Sequence, residues 1–155
     1  MRRSMRSTTP GQPVPGPKRA LSGLVILLVD PDPDSRREHA LALARAGSTV
    51  RSTSSTADAQ PILARERIDV VVCDERVDAR SLVRSLRALP DLERRLTPAI
   101  GLGEEHHVRE RVGLDAVLRK PVRPIDLVDC IDRIAARAAR RGAANAPTLK
   151  LPRIG

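Results

Sequence analysis

The chain has 155 residues, of which 41% are hydrophobic and 30% charged, and none is aromatic. That length suits one domain with its own core, built here from Leu, Val, Ile and Ala, so functions that stack bases, sugars or quaternary amines on aromatic rings are not expected. The net charge of +9 belongs to the ends: five cations lie in the first 19 residues and six from Arg133 onward, whereas the 17 between them face all 19 acids. The body is thus slightly acidic, and the basic ends read as solubilising tails. Cys73 and Cys130 form neither a disulfide framework nor a metal spacing. The longest apolar run, 24–29, is too short to span a bilayer. The N-terminus turns polar and proline-rich instead of forming a secretory apolar segment, so the expected location is cytoplasmic with no membrane partner.

In chain order, residues 1–21 hold Ser, Thr, Gly and Pro with few large apolar groups, and read as a disordered basic tail. Residues 24–30 form a first strand without alternation, hence buried on both faces. Asp32 then Pro33 reads as an N-cap with proline at the first helical position; the helix runs through Ala40, Leu41, Leu43 and Ala44 on one buried face and stops at Gly47. A weakly apolar edge strand follows over 48–52. A cap among 54–56 opens a second helix through Ile62, Leu63 and Ala64, where Pro61 requires a late start or a bend. Residues 69–74 make a third strand, and Leu82, Val83 and Leu86 a third helix ending near Pro90. A fourth strand spans 98–102 and a helix 104–112, closed by Gly113. The fifth strand is 115–119. A last helix starts at Pro124, with Ile125, Leu127, Val128, Ile131 and Ile134 on its buried side. The body covers 22–141, and 142–155 reads as a C-terminal tail.

Five strands alternating with five helices imply an α/β fold: a doubly wound, five-stranded parallel sheet with helices on both faces. In such a sheet every strand points to one edge, which gathers Asp30, Asp74, Gly103 and Lys120 after strands one, three, four and five. Carboxylates beside a lysine suit a divalent cation and an oxyanion. Mg²⁺ takes few protein ligands and keeps waters or phosphate oxygens. Asp74 could then attack a phosphoryl group, with Lys120 pairing the resulting charge.

The runs VDPDPDSR (29–36), IDVVVCD (68–74), TPAIGLG (97–103) and GLDAVLRKP (113–121), in this order and spacing, make the chain similar to the receiver domains of two-component response regulators. The resemblance covers about residues 23–138 and implies a flavodoxin-like (βα)5 three-layer sandwich in a divergent, single-domain receiver. It implies Asp74 as phosphoacceptor, Lys120 as the phosphoryl contact with a cis bond to Pro121, and Mg²⁺ held by Asp30 and Asp74. The phosphodonor would be a histidine kinase or phosphotransfer protein, and the output a contact with an unnamed protein target rather than enzymatic turnover; a homodimer is left open. The chain departs from the family at four places. Pro31 replaces the second acid, leaving Asp32 as its substitute; Gly103 and Val117 replace the two switch residues; and the loop after Asp74 carries Glu75, Arg76 and Asp78 in place of Pro-Gly. These departures keep open a phosphorylation-independent pseudo-receiver that acts as an interaction module. A third reading is nucleic-acid binding through Arg133, Arg137, Arg140 and Arg141 of the last helix, with a solvated outer face the simpler account of that stripe and nucleic acid not expected as a partner.

Overall fold

A computed structural model describes residues 19–104 and 113–144. The helix expected over 104–112 therefore lies, beyond its first residue, outside the described residues, as do most of both tails. Five strands, β1 (Val25–Val29), β2 (Thr49–Thr53), β3 (Val70–Asp74), β4 (Ala99–Gly103) and β5 (Ala116–Arg119), form one parallel sheet in the order β2-β1-β3-β4-β5. That is the flavodoxin-like order, and the chain reverses its direction of winding between β1 and β3. The register pairs Val29 with Cys73 and Asp74 with Leu102, which brings the ends of β1, β3 and β4 level. β2 is an edge strand, and its residues are exposed or half-buried, as its composition predicts.

Helices α1 (Pro33–Arg45), α2 (Thr56–Arg65), α3 (Ala79–Arg87), α4 (Leu92–Arg95) and α5 (Pro124–Ala144) cover the sheet. The side chains of a strand alternate between faces, so the unbroken apolar runs feed two cores at once. Ile26, Leu28, Val70, Val72, Ile100 and Leu102 pack with Leu43 of α1 and Leu127 and Ile131 of α5. Leu27, Val29, Val71 and Cys73 pack with Leu63 of α2 and Leu82, Val83 and Leu86 of α3. Burial pushes the Cys73 thiol up to about 12, with the neighbouring Asp74 charge adding to it, and burial also raises Cys130. Thiolate is the reactive form. Both cysteines are therefore expected to resist a disulfide-exchange reagent such as DTNB in the native protein and to react together on unfolding, read by absorbance. Fast reaction of either in the native state would contradict this packing.

Local chemistry accounts for the element ends. Asp32 caps α1 by accepting from the Asp34 amide, with Pro33 at the first helical position. Gly47 follows α1 at φ +103, and a Cβ there would lie 2.9 Å from both the Arg19 Cβ and the Ser22 Oγ. Ser55 caps α2 and Asp78 caps α3 in the same way.

Several expectations need correction. Leu21 is fully buried and donates its amide to Ala46, so the body begins inside the expected tail. α5 runs on to Ala144, past the expected boundary at 141, on its Ala/Arg repeat. Leu41 and Ile125 are exposed, at 49% and 59%, not on buried faces. In α1 the buried pair is His39 and Leu43, four residues apart, and Leu41 lies between them on the opposite side. Pro61 sits inside α2, which neither starts late nor loses its last turn; Pro61 and Ala57, whose carbonyl the missing amide would have bonded, are both exposed, so water can replace that bond. α4, between Pro90 and Pro98, has no apolar periodicity to announce it. It is held instead by side chains: Arg94 donates to the carbonyls of Leu63, Ala64 and Glu66 at the C-terminal end of α2.

Candidate functional site

The sheet brings Asp30, Asp74 and Lys120 together. Asp30 directly follows β1 and Asp74 ends β3, both fully buried, on the two sides of the point where the winding reverses. That crevice is where open α/β sheets place their ligands. Lys120 follows β5, its amide held by the Gly103 carbonyl at 3.0 Å, and the Lys120–Pro121 bond is cis. Its Nζ lies 2.6 Å from Asp74 Oδ2 and 3.8 Å from Glu75 Oε1.

Arg76 enters the same pocket. The Asp74 carboxylate accepts the Arg76 amide two residues on, at 2.9 Å, a local turn that aspartate favours. The Arg76 side chain then folds back over the acids. Its Nε donates to Asp74 Oδ1 at 2.9 Å, and its Nη2 stands 3.4 Å from Asp74 Oδ2 and 3.3 Å from Asp30 Oδ1. Asp30 is held as fully: Oδ1 also accepts the Asp32 amide at 2.9 Å, Oδ2 accepts the Ser35 hydroxyl at 2.7 Å, and Arg36 donates to its carbonyl. Ser35 in turn meets the buried His39.

Two buried acids this close would ordinarily resist sharing charge. Burial does push Asp74 up, but hydrogen bonds from the Arg76 and Lys120 side chains and the Arg76 amide, with the Lys120 charge, outweigh it and hold the carboxyl below the usual range. Asp74 is therefore ionised at neutral pH and paired with two cations.

A divalent cation does not fit this donor set. Mg²⁺ needs carboxylate oxygens converging at about 2.0–2.1 Å with free lone pairs. All four oxygens of Asp30 and Asp74 already have a donor aimed at them, and the guanidinium lies between the two groups. Pro31 contributes no carboxylate. Asp32, expected as the substitute ligand, is committed to capping α1. Among the described residues no group of three or more His, Cys, Asp or Glu could hold a metal ion. Of the expected set, Asp30 and Asp74 meet through Arg76, while Asp32 caps α1 with its charge also acting on Arg76.

The degenerate switch positions have steric partners. Gly103 ends β4, and a Cβ there would fall 2.6 Å from Glu75 Oε2 and 3.0 Å from its Cβ. The Glu75 side chain fills the space a larger residue would need, and accepts the Glu104 amide at 2.9 Å. Val117 stands opposite Gly101 in the β4–β5 register. Arg76 and Glu75 were visible in sequence only as departures in a loop; nothing there tells which way a long side chain folds. The one signal was position, since a cation two residues after a strand-end aspartate can reach back to that carboxylate.

The sheet order, with two acids and a lysine at its switch point, is shared with the receiver domains of two-component response regulators, and the chain is a receiver domain in fold. Similar solved structures include the receiver domain of a sensor histidine kinase from Pseudomonas aeruginosa, described with a magnesium ion coordinated in its active-site cleft. It is 25% identical with a TM-score of 0.67, covering 74% of this chain and 99% of that one. A putative response regulator from Chloroflexus aurantiacus is also 25% identical, with a TM-score of 0.65 over 74% of this chain and 98% of that one. A chemotaxis response regulator from Vibrio cholerae is alike in fold, at 22% identity and a TM-score of 0.64 over 72% and 98%. An uncharacterized 14.6 kDa protein from Leptolyngbya boryana, from the region 3′ of sodA1, is similar in sequence, 30% identical over 123 residues that span 74% of this chain and 92% of that protein. No protein-family model matches the chain. No helix among the described residues is long and apolar enough to cross a membrane.

Proposed function

We propose that this domain works in two-component signal transduction as a pseudo-receiver, an interaction module that acts through protein contacts with Asp74 held closed rather than phosphorylated. The observation that supports this is the state of Asp74: a fully buried carboxylate whose two oxygens are occupied by Arg76 and Lys120. Phosphoryl transfer to a carboxylate needs an approach to one of those oxygens; here each already carries donors from Arg76 or Lys120, and Arg76 bridges the two acids. Gly103 and Val117 also lack the groups that would make different contacts in two states, and without differential contacts a modification shifts no population.

A second reading has Asp74 accepting a phosphoryl group from a histidine kinase or phosphotransfer protein. Its support is the Lys120 Nζ at 2.6 Å from Asp74 and the half-exposed Arg76 side chain, 49% accessible and able to swing out. The experiment that separates them is intact mass after incubation with acetyl phosphate and Mg²⁺. The closed-pocket reading expects no acid-labile phosphoryl adduct on the wild type. An adduct present on the wild type and absent from Asp74→Asn would overturn it in favour of phosphoryl transfer.

The exposed Arg133, Arg137, Arg140 and Arg141 of α5 share that helix with exposed Asp129 and Asp132, a mixed face that fits solvation better than a phosphate backbone.

A further inference from the structure

We propose that Arg76 is the pocket's resident cation: its guanidinium bridges Asp30 and Asp74 where a divalent ion was expected, and makes the site independent of metal. The inference rests on the closed pocket described above and concerns charge rather than phosphorylation. The first argument is geometric. A guanidinium presents its N–H groups as a rigid planar fork that can serve two carboxylates at once, which an ammonium point charge does less well. Nε takes Asp74 Oδ1 while Nη2 reaches both Asp74 Oδ2 and Asp30 Oδ1, so one side chain spans the two acids. The Asp74 turn fixes the Arg76 backbone on the same carboxylate, so the fork is delivered from a held position.

The second argument is charge balance. The two buried carboxylates face two cations, Arg76 and Lys120, and the inner pair is neutral as built. A divalent ion added to this arrangement would bring two further positive charges against Arg76 and Lys120 beside two buried acids, and like charges at such range repel. Glu75, 3.8 Å from Lys120, and Asp32, whose charge acts on Arg76, would offset part of that excess. The usual second acid is also absent from the sequence, with Pro31 in its place. The buried environment of Asp30 and Asp74 supplies the driving force, since an ionised acid out of water needs a charged or hydrogen-bonding partner close by.

Mn²⁺ binding to the full chain, followed by water-proton relaxation, tests this directly alongside the melting temperature with and without Mg²⁺. Wild type is expected to leave millimolar Mn²⁺ free and to melt at the same temperature in EDTA as in Mg²⁺. Arg76→Gln is expected to melt lower in EDTA, to recover part of the loss in Mg²⁺, and to bind Mn²⁺ at least about tenfold more tightly than wild type, or 1.4 kcal/mol. Arg76→Lys, which keeps one positive charge and the fold if the glutamine variant does not, is expected to gain less. Wild-type binding of Mn²⁺ that is lost in Asp30→Asn would overturn the proposal. So would an Arg76→Gln or Arg76→Lys protein, folded by circular dichroism, that gains no affinity for Mn²⁺. A phosphoryl adduct on Asp74 bears on the functional reading alone, because these readouts follow cation binding.

Discussion

Replacing Lys120 with methionine is expected to destabilise the domain by about 2–4 kcal/mol at neutral pH. Removing one partner of a buried pair costs about 3–5 kcal/mol because a charge is left behind; the lower range applies because Lys120 is 28% exposed and Arg76 stays on Asp74. The loss has a pH signature. The folded pKa of Asp74 lies below its ordinary value, so its pairing contributes stability that is present above the unfolded-state pKa and disappears as pH falls through the folded one. In Lys120→Met the depression shrinks, and wild type and variant should converge in stability in strong acid. Chemical denaturation across pH measures both effects. The double variant Asp74→Asn/Lys120→Met should recover much of the single variant's deficit, since the carboxylate that Lys120 neutralises is then gone. A cost below about 0.5 kcal/mol, as for an ordinary surface pair, would mean that Lys120 is not the partner of a buried acid.

Leu28→Ala should cost more still, about 3–4 kcal/mol, with m unchanged. Leu28 has no exposure, lies in a central strand between β2 and β3, and faces the core shared by α1 and α5. A buried Leu→Ala change loses transfer energy and leaves a cavity, about 2–5 kcal/mol together. Four of the five residues of β1 are buried, so backbone movement cannot easily close the gap, which argues against the low end of that range. Against a total stability of about 5–15 kcal/mol, the variant should melt about 10 °C or more below wild type. A loss under about 1 kcal/mol would indicate a core loose enough to collapse into the space.

These two positions mark what the sequence made legible. The strands were readable because burial on two faces removes alternation: VVVC before Asp74, and AIGLG, carry no polar side chain, and each strand is buried throughout. Two helix starts were readable, since Asp32 and a residue among 54–56 offered caps and Asp32 and Ser55 do cap, whereas Asp78, read only as part of a loop, caps α3 as well. The edge that collects Asp30, Asp74 and Lys120 followed from topology alone. What the sequence left open was decided by long side chains. α4 depends on Arg94 reaching the end of α2, across some thirty residues of chain, and no local pattern encodes that reach. The pocket's charge state depends on Arg76 folding inward, where a loop arginine is commonly solvated. Leu21 looked like tail because its neighbours in sequence are polar, while its packing partners lie elsewhere in the chain.

The metal expectation meets a donor set that Arg76 already bridges. Pro31 removed one ligand in plain view. Asp32, the expected substitute, caps α1: its Oδ1 accepts the Asp34 amide at 3.0 Å.

The central claim is that Asp74 is a buried, ionised carboxylate held by Arg76 and Lys120. It is tested most directly by following the Asp74 carboxyl carbon by NMR as pH is lowered, in wild type and in Lys120→Met, with and without Mg²⁺. The account predicts a wild-type midpoint below the ordinary aspartate value, unmoved by Mg²⁺ and higher in the variant. A midpoint at or above the ordinary value, or one that Mg²⁺ lowers markedly, would contradict it.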